Sequence, residues 1–127
     1  MDAPCTGTGT FRKSPYTILE WSPGNVRRVC GVQKQLLKTA FKNLKSGGTM
    51  VYSTCTLEPE ENEGMVSYLL NDFEDAKLEK INVDIKKSSP VLEFEGKEYN
   101  KEVKKCLRIW PQDNDTDGFF VAKIRKV

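Results

Sequence analysis

Histidine is absent from this sequence, and none of its four cysteines lies close enough to another to form a C-x-x-C pair. A structural zinc site draws on clustered Cys and His ligands, so no metal is expected. A Cys-His catalytic pair cannot be built within the chain either. No apolar run approaches the roughly 20 residues of a membrane span. Met1 is followed by Asp2 and Pro4 rather than by a basic flank and an apolar stretch, so no signal peptide is read. The expectation is a cytoplasmic chain with reduced thiols and no membrane partner. A net charge of +2 is too small to argue by itself for a nucleic-acid partner. A Gly-rich nucleotide turn is also missing. Gly7-Thr8-Gly9 has no strand before it and no third glycine in register.

What is present is a chain of 127 residues, enough for one domain with a core. Its organising stretch is Thr49-Met50-Val51-Tyr52-Ser53-Thr54-Cys55-Thr56, between Gly47-Gly48 and Glu58-Pro59-Glu60-Glu61. Thr49 to Ser53 reads as a short buried strand, β-rich and bounded by breakers. Cys55 falls where that strand runs out. Ligands of open α/β sheets sit outside the carboxyl ends of the strands, so a thiol there can meet a substrate. A second cysteine stands in Asp2-Ala3-Pro4-Cys5, and the two thiols are expected to face one pocket.

Around this stretch the spacing predicts a helix over Val26 to Lys45. Val29, Val32, Leu36, Leu37, Ala40, Phe41 and Leu44 form its apolar stripe, and Gly47 supplies a left-handed C′ residue. A second helix is predicted from Pro59, its acidic start complementing the helix dipole, with Val66, Leu69, Leu70 and Phe73 facing the core. Lys77 to Ile85 alternates as a strand. Val91 to Phe94 is the place for a hairpin. Asn100 caps a short helix over Lys101 to Cys106. Leu107 to Pro111 is extended, Asp113 to Asp117 is polar loop, and Gly118 to Arg125 is the last strand. Phe11 to Gly24 is irregular, with at most a turn of helix near Thr17 to Trp21. The order is α/β.

Several motifs occur in one order: Asp2-Ala3-Pro4-Cys5-Thr6-Gly7, Arg12-Lys13, Leu44-Lys45-x-Gly47-Gly48, Tyr52-Ser53-Thr54-Cys55-Thr56, Pro59-Glu60-Glu61-Asn62-Glu63, and Arg108 to Pro111 followed by Gly118 to Lys123. Together they resemble the NOL1/NOP2/Sun family of RNA cytosine-5 methyltransferases, from Asp2 to Lys126. The resemblance implies the C-terminal half of a Rossmann-like methyltransferase fold that uses S-adenosyl-L-methionine: a mixed sheet with an antiparallel last strand. It places Met1 where the fourth strand finishes. Residues 1–127 are therefore read as a partial catalytic domain without the N-terminal cofactor-binding half, which is a possible partner.

The resemblance also implies roles. Cys55 maps to the nucleophile that adds to cytosine C6, and Cys5 to the thiol that assists product release. In DNA cytosine-5 methyltransferases the Pro-Cys cysteine is the nucleophile instead, so the residues alone leave the roles exchangeable. Asp2 maps to the acid that holds the cytosine edge and borders the cofactor. Arg12 and Lys13 are candidate contacts to tRNA or rRNA. Phe119 and Phe120 alternate on one strand, so at least one is core and the other can stack on a base. Cys30 and Cys106 are read as structural thiols on helices, and Asn62 and Glu63 as organisers of a helix start. Two non-catalytic alternatives stand beside this: an RNA-binding fragment, and an accessory subunit whose partner supplies the cofactor half.

Overall fold

The computed structural model describes residues 1–127. Helix α1 (Tyr16–Glu20) and helix α2 (Pro23–Asn43) come first, followed by strand β1 (Thr49–Thr54), helix α3 (Glu63–Asp72) and strand β2 (Ala76–Glu79). Strands β3 (Glu93–Phe94) and β4 (Lys97–Glu98) form a hairpin. Strand β5 (Leu107–Ile109), helix α4 (Pro111–Asn114) and strand β6 (Phe119–Lys126) complete the chain.

β6 is the axis of the sheet. β1 pairs antiparallel along one side of it, from Thr49 opposite Arg125 to Thr54 opposite Phe120. Its other side is shared. β2 covers Lys123 to Lys126, and β5 covers Phe119 to Val121. This sharing ends β2 at Glu79. The strand expected as far as Ile85 would run into the place of β5, so Val83 and Ile85 lie exposed on a connection instead. The far edge of β1 takes up Met1 to Ala3 in parallel: the Ala3 N–H donates to the Ser53 carbonyl and the Ser53 N–H to that of Met1, both at 3.0 Å. The sheet is therefore mixed, with β6 antiparallel to β1, as the resemblance implies.

The core lies between the sheet and two helices. Tyr52, Leu78, Phe120, Ala122 and Ile124 meet Leu37 and Phe41 of α2 and Met65, Val66 and Leu69 of α3. Each large side chain among them contributes roughly 1.5–3 kcal/mol by leaving water. α2 starts at Ser22, whose Oγ accepts from the Asn25 N–H at 3.0 Å, with Pro23 in the first turn. Its buried face is Val26, Val29, Gln33, Leu37 and Phe41. This corrects the expected stripe: Val32 and Leu36 are exposed, and a glutamine takes a core position because its amide is hydrogen-bonded there. The left-handed residue is Gly47 at φ 79°, in the turn into β1 rather than at the helix C′.

Pro59 opens a 3-10 turn through Glu61, and α3 proper begins at Glu63. The helix expected from Pro59 is thus split. Glu61 and Glu63 are both buried, because their carboxylates are taken up by protein donors rather than left at the solvent-facing helix start. Asn100 caps the turn Lys101–Lys105 by accepting from the Glu102 N–H. Cys106 follows that turn and is buried, rather than lying on a helix. Glu95 and Gly96, at φ 50° and 78°, form the hairpin turn between β3 and β4. No helix is long and apolar enough to cross a membrane.

Candidate active site

Two neighbouring, parallel segments end side by side, and each delivers a cysteine. Met1–Ala3 leads through Pro4 to Cys5; β1 leads to Cys55. Their Sγ atoms lie 3.1 Å apart, within sulfur hydrogen-bond range. The pair is half-buried. One S–H donating to the other sulfur favours a single thiolate shared across the contact. Cys55 is lowered to about 7, chiefly by the hydrogen bond from Cys5. Cys5 is raised, first by that same bond and then by burial. Thiolate character therefore concentrates on Cys55. Asp2 stands at the Ser53 level of the same edge. Its exposed carboxylate takes only a 3.5 Å bond from the Ser53 hydroxyl, so it is free to accept from a ligand.

Close backbone approach brings the loops together. The Gly9 N–H donates to the Cys55 carbonyl at 2.9 Å, and the Gly118 N–H to that of Gly9 at 2.7 Å. A Cβ on Gly9 would lie 2.5 Å from the Cys55 oxygen and 2.8 Å from that of Gly118, so only glycine fits. The Cys5 loop, the Cys55 loop and the start of β6 thus meet at one point.

Beneath the thiols lies a buried polar cluster. Glu61 accepts at Oε1 from the Thr6 N–H (2.9 Å) and from Gln33 Nε2 (3.0 Å). At Oε2 it accepts from the hydroxyls of Thr6 (2.6 Å) and Thr56 (3.1 Å). Gln33 also donates to the Pro4 carbonyl at 2.9 Å. Asn62 donates to the Thr56 carbonyl at 2.9 Å and accepts from the Thr54 hydroxyl. A second buried carboxylate, Glu63, receives Arg108 in a fork, Nε at 2.8 Å and Nη2 at 2.6 Å. Arg108 Nη1 continues to the Leu57 carbonyl at 2.9 Å, just beyond Cys55. These acids fall in the Pro59 to Glu63 run, which the sequence presents as a helix start. Their signal was the density of carboxylates beside a strand end, with too few basic residues nearby to pair them all.

Cys5, Cys55 and Asp2 are brought together at one strand edge. Arg12 and Lys13 lie exposed on the surface, paired with Asp115 and, at 3.5 Å, with Asp117. Phe120 cannot stack on a base. It is fully buried, opposite Thr54, with its ring edge-on to Tyr52, because its side of β6 faces the helices. Phe119 points to the other side and keeps partial exposure. Cys30 lies on α2 and is pushed up to about 11 by burial and then by Glu61, which leaves it an inert thiol. No group of three or more His, Cys, Asp or Glu side chains is placed to hold a metal ion.

Residues 1–125 match the family described as 16S rRNA methyltransferase RsmB/F. The chain belongs to this family. It is 51% identical over 126 residues to the tRNA (cytosine(49)-C(5))-methyltransferase of Pyrococcus abyssi, covering 99% of this chain and 40% of that protein. It is 45% identical to the ribosomal RNA small subunit methyltransferase F of Aliivibrio salmonicida, over 99% of this chain and 25% of the relative. The chain thus spans well under half the length of these curated relatives. A methyltransferase homologue from Pyrococcus horikoshii superposes with a TM-score of 0.82 at 37% identity, over 100% of this chain and 38% of that one. NSun6 from the same organism gives 0.77 at 35%, over 100% and 29%. Membership of the RsmB/F family fits the architecture: a partial Rossmann-like sheet whose last strand runs antiparallel.

Proposed function

We propose that this chain carries the thiol centre of an RNA cytosine-5 methyltransferase that acts on a cytosine of tRNA or rRNA. The observation that carries the reading is the 3.1 Å contact between Cys5 and Cys55 at the ends of two adjacent parallel segments, with Asp2 on the same edge. Relatives named as tRNA and rRNA methyltransferases support the substrate class.

Cytosine C5 is a poor nucleophile. The Cys55 thiolate adds to C6, forming an S–C6 bond and moving the ring electrons so that C5 can attack a methyl group. Asp2 holds the base edge at N3/N4, its carboxylate accepting from the N4 amine and from N3 once N3 takes a proton from water, and that proton draws charge from the ring as the thiolate adds. After the transfer, a solvent base takes the C5 proton, the C–H electron pair re-forms the C5–C6 double bond, and the S–C6 bond breaks with its pair on the Cys55 sulfur. The Cys5 S–H, 3.1 Å from the departing sulfur, stabilises the thiolate that is released. Bound S-adenosyl-L-methionine would supply the electrophilic methyl and keep the electron pair of the broken S–CH3 bond; Asp2 is the residue of this chain that would border it, and most of its site belongs to sequence outside these 127 residues. The target base must be unpaired or flipped to be reached. Arg12 and Lys13 serve as phosphate contacts, since surface pairs such as theirs with Asp115 and Asp117 are worth about 0–1 kcal/mol and yield readily to phosphate. Phe119 is the aromatic left available to stack on a base.

The test is covalent capture. The chain, combined with the cofactor-binding part of a family catalytic domain, is incubated with RNA containing 5-fluorocytosine, and adducts are resolved on denaturing gels. Cys55→Ser is expected to abolish the adduct. Cys5→Ser is expected to allow attack but slow release, so that adduct accumulates on ordinary RNA. Adduct with Cys55→Ser and none with Cys5→Ser reverses the two roles.

A further inference from the structure

We propose that Glu61 is the positioning residue of the thiol pair: by binding both cysteine-bearing loops at once, its carboxylate sets the Cys5–Cys55 contact. The significance of this for catalysis rests on the function proposed above, but the contact itself belongs to the folded chain.

Glu61 is fully buried, and its four bonds come only from neutral donors. An unpaired buried charge is costly, and it is tolerated only when all its lone pairs are satisfied. Two of the four bonds come from Thr6, the residue after Cys5. A third comes from Thr56, the residue after Cys55. The fourth comes from Gln33, whose amide also holds the Pro4 carbonyl, the residue before Cys5. One carboxylate therefore grips a neighbour of each cysteine. The Thr6 and Thr56 hydroxyls also lie 3.0 Å from each other, parallel to the sulfur contact one residue away. The Glu61 main chain is fixed from behind, its carbonyl accepting from the Tyr52 hydroxyl at 2.7 Å. The carboxylate cannot drift without moving the strand that ends in Cys55.

Position and charge make opposite demands on Cys55, which lets them be separated. The ionisable groups acting on Cys55 are Cys5, Asp2 and Glu61, and the Glu61 charge opposes thiolate formation. Removing that charge alone moves the Cys55 midpoint down. Losing the sulfur contact moves it up, towards the ordinary cysteine value of about 8.5. Glu61→Gln keeps one acceptor and presents an NH2 to which the two threonine hydroxyls can turn, so the loops stay bound. Glu61→Ala releases them.

The experiment measures the pH dependence of Cys55 alkylation by iodoacetamide in the full chain, read by peptide mass spectrometry. It needs neither RNA nor cofactor, so its failure is distinct from a failure of the methyltransferase reading. The expected result is a midpoint that rises by more than one pH unit in Glu61→Ala, stopping short of that of Cys5→Ala because the Glu61 charge is also gone, and that stays level or falls in Glu61→Gln. A midpoint that falls in both variants overturns the proposal, because Glu61 would then act through charge or stability only. If Glu61→Ala does not fold, Thr6→Val with Thr56→Val removes both hydroxyl bonds and keeps the charge. An upward shift there supports the positioning role, and an unchanged midpoint overturns it.

Discussion

Replacing Cys5 with alanine removes the hydrogen bond that holds Cys55 low, and the size of the effect can be worked through. Cys55 sits at about 7 with the bond in place. Without it, the group returns towards about 8.5. At pH 7 the thiolate fraction then falls from about one half to about 3%, roughly sixteen-fold. A more basic thiolate is also a better nucleophile. With a Brønsted slope of about 0.4–0.5, a rise of roughly 1.5 in pKa gains about four- to six-fold per thiolate. The two effects oppose each other. Near pH 7 the variant should be alkylated only about three- to four-fold more slowly than the parent. Near pH 10, where both are ionised, it should react about five-fold faster. The sign of the change therefore reverses with pH, which simple loss of accessibility or structure does not produce. Peptide mass spectrometry of the Cys55 fragment measures it. Curves that stay in one order at every pH, or a parent midpoint near 8.5, refute the reasoning.

Three further outcomes follow from other parts of the molecule. Gly9→Ala drives a methyl group into the carbonyls of Cys55 and Gly118. It should destabilise the chain by about 1–3 kcal/mol, seen as a melting point lower by several degrees; an unchanged melting point contradicts the close approach. Arg108→Met leaves Glu63 buried without its cation and should cost about 3–5 kcal/mol in urea unfolding. Adding Glu63→Gln should recover part of that loss, and a double variant as unstable as the sum of the two singles argues against coupling. Burial raises Cys106, Tyr52, Cys30 (to about 11) and Tyr99 (to about 12). Their stabilising effect is complete below the unfolded-state values and is lost as pH rises towards the folded ones, because the unfolded chain then releases protons that the folded chain keeps. Denaturation midpoints should therefore fall from about pH 8.5 upward; a flat profile to pH 11 contradicts the burial of these groups.

Periodicity and breakers made much of the architecture legible. The apolar spacing marked α2, although it begins at Pro23 inside the stretch read as irregular; Gly47-Gly48 separates it from β1, and the β-rich runs at Thr49 and Phe119 became the two long strands. Local pattern failed where a partner decided the outcome. Lys77 to Ile85 alternates as a strand should, but only Ala76 to Glu79 finds space on β6 before β5 takes over. The stripe on α2 held apolar residues on two faces, and the sheet selected the face containing Gln33. At the site, both thiols and Asp2 could be read from motif and strand end. The run of acids holding Glu61 and Glu63 was visible but their burial was not, because a carboxylate at a helix start looks the same whether water or a buried protein donor receives it. Their partners, Thr6, Gln33 and Arg108, lie 28 to 55 positions away.

The pairing of Met1–Ala3 with β1 has a consequence for how the reactive pair tolerates change. Fifty positions separate the two cysteines, yet the length of that interval does not set their distance. It is set coarsely by the lateral spacing of neighbouring strands, about 4.8 Å, and by how far each thiol lies beyond its last ladder bond, and finely by the Glu61 bonds to Thr6 and Thr56. Length changes in the helix and turns between them are therefore permissible, provided the strands still pair. Deleting a single residue between Ala3 and Cys5, or between Ser53 and Cys55, is a different matter. It slides one sulfur along the strand axis by about 3.3 Å and turns it to the opposite side of the pleat. The sulfur contact is in this sense encoded as a phase: two short counts from a shared origin, which must agree to the residue, while the helix and turns between them can change in length away from Thr6, Gly9 and Gln33.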